Sequence, residues 1–416
     1  MRTADLIYDW NVQGIKPEKP AKEIEFDDET LRDGIQSPTI KEPAIDEKIK
    51  ILHLMEELKI HSADIGLPGA GPRLAQDVTQ LAQEIKDNKM NIQASCAART
   101  VEADIRSVIE ISQKVGIPIC VDMFIGSSSI RRYAEDWSID RMIRNTEGAV
   151  QLAKKYNLPV MYVTEDTTRA NPEMLRILYK TAMENGADRI CVCDTVGHAT
   201  PYGIHNLLSY VKHLVKETKE DTKIDFHGHR DRGLSLVNTL TSVIAGADRI
   251  HGCGQGIGER CGNTPMDHLL VNMKLLGWID NDLTKLPEYC ETIAKSCDIE
   301  IPYNYPILGE DAFRTGTGVH ATAIIKAIKK EDDKWLADSV YSGVPASMVG
   351  REQKIEIGPM SGKSNVIFWL EKNGYEKDQK LIDGIFDLAK SKNKILSDQE
   401  IQEFLSVKKD KTSIKQ

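Results

Sequence analysis

The sequence predicts an α/β fold: a closed (β/α)8 barrel followed by a small, mostly helical C-terminal region. Three observations carry that prediction. Eight short apolar runs recur between residues 23 and 252. Stretches with apolar residues at three- and four-residue steps separate them, as amphipathic helices would. Several intervals close with a turn such as Gly186-Ala187-Asp188-Arg189 or Gly246-Ala247-Asp248-Arg249 just before the next run. Eight strand-helix units in about 270 residues match the TIM barrel in number and length. The competing doubly wound open sheet would carry Gly-x-Gly-x-x-Gly after its first strand, and that turn is absent.

In order, the runs are EIEFDDE near 23, ADIGLP near 63, NIQASC near 91 and IPICVDMFI near 117. LPVMYVTED near 158, DRICVCDT near 188, KIDFHGH near 223 and DRIHGCGQ near 248 complete the set. Between the first two, Ile45, Ile49, Leu52 and Met55 fall at helical spacing. Past residue 285 the alternation stops. Helical stretches near 284–297 and 318–330 read as a linker region, and Ser397-x-x-Glu400 reads as a capping box opening a last helix. The expected organisation is an N-terminal arm (1–22), a barrel (23–285), a linker subdomain (286–340), a small C-terminal subdomain (341–408) and a charged tail (409–416).

Bulk properties exclude several classes. With 28% charged residues and a formal net charge of -9, binding to nucleic acid through bulk electrostatics is disfavoured. No apolar run approaches a membrane span and no signal segment opens the chain, so no membrane partner and a cytoplasmic location are expected. Eight cysteines in 416 residues do not make a disulfide scaffold. Cys191 and Cys193 would face one side of a strand, where packing as reduced thiols is favoured over a metal pair.

In such a barrel, chemistry belongs at the C-terminal ends of the strands. Asp33, Glu165, Asp194, His227 and His229 each end or follow a predicted strand. His227 and His229, two apart on one strand face, would project imidazoles the same way about 7 Å apart along the strand. Such a pair suits a divalent cation, with hydrogen bonding of two buried histidines as the alternative. Asn263, in the glycine-rich GCGQGIGERCGN, is a third candidate ligand or the cap of a helix begun at Pro265. Asp33 completes the set, because the first and last strands of a barrel are neighbours. Mixed oxygen and nitrogen donors of this kind take Zn2+, Mn2+ or Mg2+. Plainer readings pair Glu165 with Arg169 and let Arg32 neutralise Asp27-Asp28-Glu29.

TLRDG (30–34), HGHRDRG (227–233) and GIGERCGN (256–263) together resemble the metal-dependent acyltransferase and lyase barrels. That family includes 2-isopropylmalate, homocitrate and citramalate synthases and hydroxymethylglutaryl-CoA lyase. DIGLPGAGP, CAAR, VTEDTTR and CDTVGHATP match further family motifs in order and spacing. FRTGTGVH, VYSGVPASMVG and GPMSGKSN resemble segments of the synthases that the lyases lack. The resemblance implies that acetyl-CoA condenses with a 2-oxoacid held on the metal by Asp33, His227, His229 and Asn263. Arg32 would stabilise the developing oxyanion, Glu165 or His320 would serve as base, and Tyr341 would support the same site. Arg99 and Thr195 would bind substrate. A homodimer is implied, with the C-terminal region contributing to the partner's active site.

Several positions depart from the family pattern: Ile35 for Glu, Arg230-Asp231 for Asn-Asp, and Thr315 for a histidine. Ile35 and Val163 suit an apolar oxoacid, while Arg230 and Arg232 pull towards an anion. The reaction favoured is conversion of 2-oxoisovalerate to 2-isopropylmalate, as in leucine biosynthesis, with homocitrate or citramalate formation next. Ile35-Gln36 and Cys253 echo the lyase branch, which would cleave rather than condense. About 50 residues follow GPMSGKSN, and so no feedback inhibition by leucine or isoleucine is expected.

Overall fold

Eight parallel strands close on themselves in the computed structural model, which describes residues 6–14, 19–330 and 334–413. Residues 1–5 and 15–18 of the expected arm, 331–333 of the expected linker and 414–416 of the expected tail lie outside the described residues. The strands are β1 (Glu25–Asp28), β2 (Ser62–Asp64), β3 (Gln93–Arg99), β4 (Cys120–Gly126), β5 (Val160–Glu165), β6 (Arg189–Asp194), β7 (Lys223–Gly228) and β8 (Arg249–Gly252). Each pairs with the next, and β1 pairs with β8 from Glu25–Arg249 to Asp28–Gly252. The predicted TIM barrel is therefore observed, with its strands in the predicted order.

Helices cover the outside because their apolar stripes are buried against the strands, as with Ile51, Leu52 and Met55 in the helix Ile45–Glu57. The inside is less usual. Barrel interiors are ordinarily filled by Val, Ile and Leu, whereas here buried Asp27, Asp64, Asp225, Arg249 and His251 occupy strand positions. Arg249 Nε donates to Asp225 Oδ2 at 2.6 Å and its Nη1 donates to Ser62 Oγ at 2.8 Å. Arg189 Nε donates to the other oxygen of Asp225 at 2.7 Å, and His251 Nε2 lies 3.1 Å from Asp225 Oδ2. Charges so deep persist only when paired and hydrogen-bonded.

The chain divides into two compact units, Pro17–Glu300 and Ile301–Gln416 with Met1–Lys16. The helix Leu286–Cys297, expected to open the linker, belongs to the barrel unit. Its Tyr289 hydroxyl bonds the Asp28 carboxylate of β1, and Cys290 O accepts from Gln255 Nε2 at 2.7 Å. Those buried bonds carry the boundary from 285 to 300. In the second unit, helices Lys363–Lys372, Gln379–Ser391 and Asp398–Ser413 enclose a core that includes Val366, Leu370, Ile385 and Ile401. The capping box opens the last helix: Glu400 N donates to Ser397 Oγ at 3.2 Å and Ser397 N to Glu400 Oε2 at 2.9 Å. That helix runs to Ser413, so its backbone continues through part of the expected tail. Among the described residues no helix is long and apolar enough to cross a membrane.

Arg249→Met keeps bulk but removes the buried cation beside Asp27 and leaves Asp225 with Arg189 and His251 alone. The expected cost is about 3–5 kcal/mol, read as a lower urea midpoint at unchanged slope.

Candidate active site and metal centre

Beyond β1 the chain turns sharply, with Thr30 N donating to Asp28 Oδ1 at 2.9 Å and Gly34 N to Glu29 O at 2.9 Å. The turn directs Glu29, Arg32 and Asp33 into a cavity of about 230 Å³. Opposite, the glycine-rich loop after β8 folds back on itself. A Cβ on Gly262, whose φ is +98°, would stand 1.9 Å from Gly256 O. Only glycine permits that approach, and it brings Asn263 into a backbone bridge with His229.

Asp33, His227, His229 and Asn263, drawn from three distant parts of the chain, meet here and are all buried. His227 Nδ1 lies 2.6 Å from Glu29 Oε2, so the bond to the carboxylate leaves Nε2 as the bare nitrogen. That Nε2 is 3.0 Å from His229 Nε2, and Asp33 Oδ2 lies 3.9 and 3.7 Å from the two. Asn263 Nδ2 donates to Asp33 Oδ2 at 2.7 Å, while Asn263 Oδ1 and His229 Nδ1 are buried with no hydrogen-bond partner among the described residues. Burial, reinforced by His227, pushes His229 down to about 4, which keeps the imidazole neutral. Burial would raise Asp33, but the Arg32 guanidinium and His227 outweigh it and hold the carboxylate below its usual range. Likewise His227 and His251 overcome burial at Glu29 and hold it well below. A neutral imidazole at His229 and an ionised carboxylate at Asp33 belong to the donor set a divalent cation needs. Two nitrogens each about 2.1 Å from one ion, at roughly a right angle, stand about 3 Å apart, which is the spacing found. The residues fit the ion.

Arg32 spends three of its five N–H groups, on Asp64 Oδ2 (2.6 Å), Asp33 Oδ1 (2.8 Å) and Glu29 Oε1 (3.3 Å). It does more than neutralise the acidic run, since it also locks Asp33. Glu165, at the end of β5, lines the same cavity, and its carboxylate has no hydrogen bond among the described residues. Burial raises its pKa, opposed by Arg131 and Arg32. Arg169 does not reach it, pairing instead with Asp166 at 2.7 Å. Val163 and Thr195 also line the cavity, and Thr195 Oγ1 accepts from Asp166 N at 2.8 Å.

Two expected residues of the barrel unit, Arg99 and Ile35, fall elsewhere. Arg99 is 61% exposed because Asp104, in the next helix, clamps it at 2.8 and 2.9 Å. Ile35 is half-buried in a tight 3-10 turn that presents its neighbour Gln36 to the cavity instead. His320 and Tyr341 lie in the second unit, with ring centroids 4.1 Å apart. The two loop arginines serve carbonyls: Arg230 Nη1 donates to Gln255 O at 3.3 Å and Arg232 Nη1 to His198 O at 2.6 Å. Cys191 and Cys193 are buried free thiols with sulfurs 3.8 Å apart.

The sequence profile of the HMGL-like family matches residues 23–293. The chain belongs to the HMGL-like family. It is 29% identical to homocitrate synthase AksA of Methanopyrus kandleri over 367 residues, covering 88% of this chain and 86% of that one. It is 30% identical to 2-isopropylmalate synthase of Sulfolobus acidocaldarius over 384 residues, covering 91% and 94%. Among solved structures, HMG-CoA lyase of Bacillus subtilis shares the fold, with TM-score 0.57 and 18% identity over 68% of this chain and 97% of that one.

Within this HMGL-like barrel, sequence reading missed two of the most connected residues. Glu29 joins His227, His251 (3.0 Å) and Arg32, and the chain of contacts continues through His251 to Asp225. His251 stands at the end of β8 as His227 does at the end of β7, which is the signal that could have found it. Glu29 was hidden in an acidic run. Titration of the metal-free protein with Mn2+ tests the centre. Asp33→Ala is expected to weaken binding at least about 100-fold, and Glu29→Gln, which only loosens His227, about 10- to 100-fold.

Proposed function

We propose that this chain condenses acetyl-CoA with a monocarboxylic 2-oxoacid and then hydrolyses the thioester to release CoA. The observation that carries the reading is one cavity with two chemically opposed ends. Asp33, His227 and His229 converge beside Arg32 at one end, and the unpaired carboxylate of Glu165 stands at the other. The similarity to the Sulfolobus synthase over 91% of this chain, beyond the barrel, supports condensation over cleavage. Cys253, the residue echoing the lyases, is fully buried with its thiol pushed well up by burial and lies 3.3 Å from Asn263 Nδ2, so it is poorly placed for proton transfer.

A divalent ion held by Asp33, His227, His229 and Asn263 would polarise the keto oxygen of a bound oxoacid. Arg32, with two N–H groups to spare, stabilises negative charge developing on that oxygen. Glu165 takes a proton from the acetyl methyl group, the new carbon–carbon bond forms at the keto carbon, and the keto oxygen ends as an alcohol. Water then cleaves the thioester. His320 and Tyr341 come from the partner copy of a homodimer and complete the site.

Leu67, Ala97, Phe124, Met161 and Val163 give the cavity an apolar lining, and its two arginines, Arg32 and Arg260, are already paired with Asp33 and Asp231. That lining suits an oxoacid of the size of 2-oxoisovalerate, the precursor of 2-isopropylmalate, better than the dicarboxylate 2-oxoglutarate.

Free CoA released from acetyl-CoA with a panel of 2-oxoacids, and abolished by a chelator, is the expected result; no release with any oxoacid contradicts the proposal. Glu165→Gln should lower kcat by about 10²–10⁴ while Mn2+ stays bound. Because burial raises Glu165, and the base works ionised, kcat/KM should fall with decreasing pH along a limb above the ordinary glutamate value of 4.5. Mixing inactive Glu165→Ala and His320→Ala proteins should restore activity if sites are shared between copies; failure to restore it would put His320 in its own chain's site.

A further inference from the structure

Asp122 has no role in the mechanism above, yet it lines the same cavity. On β4 it pairs in register with Ala97 of β3 and Met161 of β5, one layer beneath Phe124 and Val163. It is 4% exposed, and neither carboxyl oxygen makes a hydrogen bond of good geometry. Ser95 and Cys120 are its polar neighbours and interact with it, but neither meets it with good hydrogen-bond geometry. Arg249, the nearest cation by charge, gives its N–H groups to Asp225, Ser62 and the Met161 sulfur. An unpaired polar group in such a place costs free energy unless a ligand completes it.

The barrel order places β4 and β5 across from β1 and β8. A 2-oxoacid anchored by its carboxylate and keto oxygen at Arg32 and Asp33 therefore extends its side chain towards Asp122. An alkyl terminus would leave Asp122 with only the poorly aligned Ser95 and Cys120. A second carboxylate would add a charge to an interior where Asp64 and Asp27 already oppose ionisation of Asp122. A hydroxyl both donates and accepts, and satisfies the pair. Burial, with Asp64 and Asp27 adding to it, drives the Asp122 carboxyl well above the usual range, and a neutral acid is the matching partner for a neutral hydroxyl.

We infer that Asp122 is a specificity-determining residue that binds a hydroxyl at the far end of the oxoacid side chain. The stem of that side chain lies against Phe124, Met161 and Val163. This rests on the condensation reading above.

The test is CoA release with pairs of oxoacids differing only in the terminal hydroxyl: 2-oxobutanoate against 4-hydroxy-2-oxobutanoate, and 2-oxoisovalerate against 4-hydroxy-3-methyl-2-oxobutanoate. The wild-type protein is expected to prefer the hydroxylated member of each pair by at least about tenfold in kcat/KM. Asp122→Asn, which still donates and accepts, should keep the preference, and Asp122→Leu should reverse it. Because the quantity is a ratio within one protein, a general loss of activity does not imitate the effect. A wild-type ratio of one or less overturns the inference even if the leucine variant does not fold, as does a preference that survives in Asp122→Leu. In both cases CoA release leaves the condensation reading standing. No CoA release with any oxoacid is the separate outcome that removes that reading and this inference together.

Discussion

Closure of the barrel by β1 against β8 is the constraint on which the site depends. That pairing sets Asp28 beside Gly252, so the turn carrying Arg32 and Asp33 emerges next to His251 and the glycine-rich loop. With β7 alongside, residues more than 190 positions apart come within hydrogen-bond reach, as in the 2.6 Å contact of His227 with Glu29. No local preference of any segment would produce this set; it exists only in the closed barrel. The converse also holds. Carboxylates as deep as Glu29 and Asp225 are tolerable because closure supplies His227, His251, Arg189 and Arg249 as partners.

The charges are arranged in a gradient of protonation. Near the metal centre, Asp33 and Glu29 are held ionised by Arg32 and the histidines, and His229 is held neutral. Around the cavity, burial dominates instead: it drives Asp64 up to about 7, with Arg32 only partly offsetting it, and it raises Glu165. One polar interior thus holds ionised ligands at Asp33 and Glu29 together with carboxyl groups that burial raises, Asp64 on Arg32 and Glu165 at the end of β5. That division is what a reaction combining carbonyl polarisation with carbon-acid deprotonation requires.

The barrel was legible because its signals are local: apolar runs, helical spacing and turns report strand and helix without reference to distant residues. His227 and His229 were legible for the same reason, since two residues apart on a strand means one face. Asp33 followed from its place at a strand end, from the meeting of the first and last strands, and from the resemblance of TLRDG to the family motif. Arg99 misled because an acid five residues on, Asp104, turns it out to solvent, and spacing does not reveal which partner a long side chain will choose. Ile35 misled because a 3-10 turn rotates each residue by about a third of a revolution, handing the cavity to Gln36. Glu29, His251 and Asp122 were invisible for a deeper reason. Their importance lies in which partners surround them across the barrel, or in Asp122's case fail to, and that is a property of the closed sheet.

In the proposed reaction one divalent ion and one oxoacid meet between Asp33, His227 and His229. The most direct measurement is an anomalous difference map from crystals soaked with Mn2+ and 2-oxobutanoate. The expected result is a single strong peak about 2.0–2.3 Å from Asp33 Oδ2 and both histidine nitrogens, with the oxoacid's carboxylate and keto oxygen on the same ion and its alkyl end towards β4. A map with the ion elsewhere, or with the oxoacid bound away from Arg32, would contradict it.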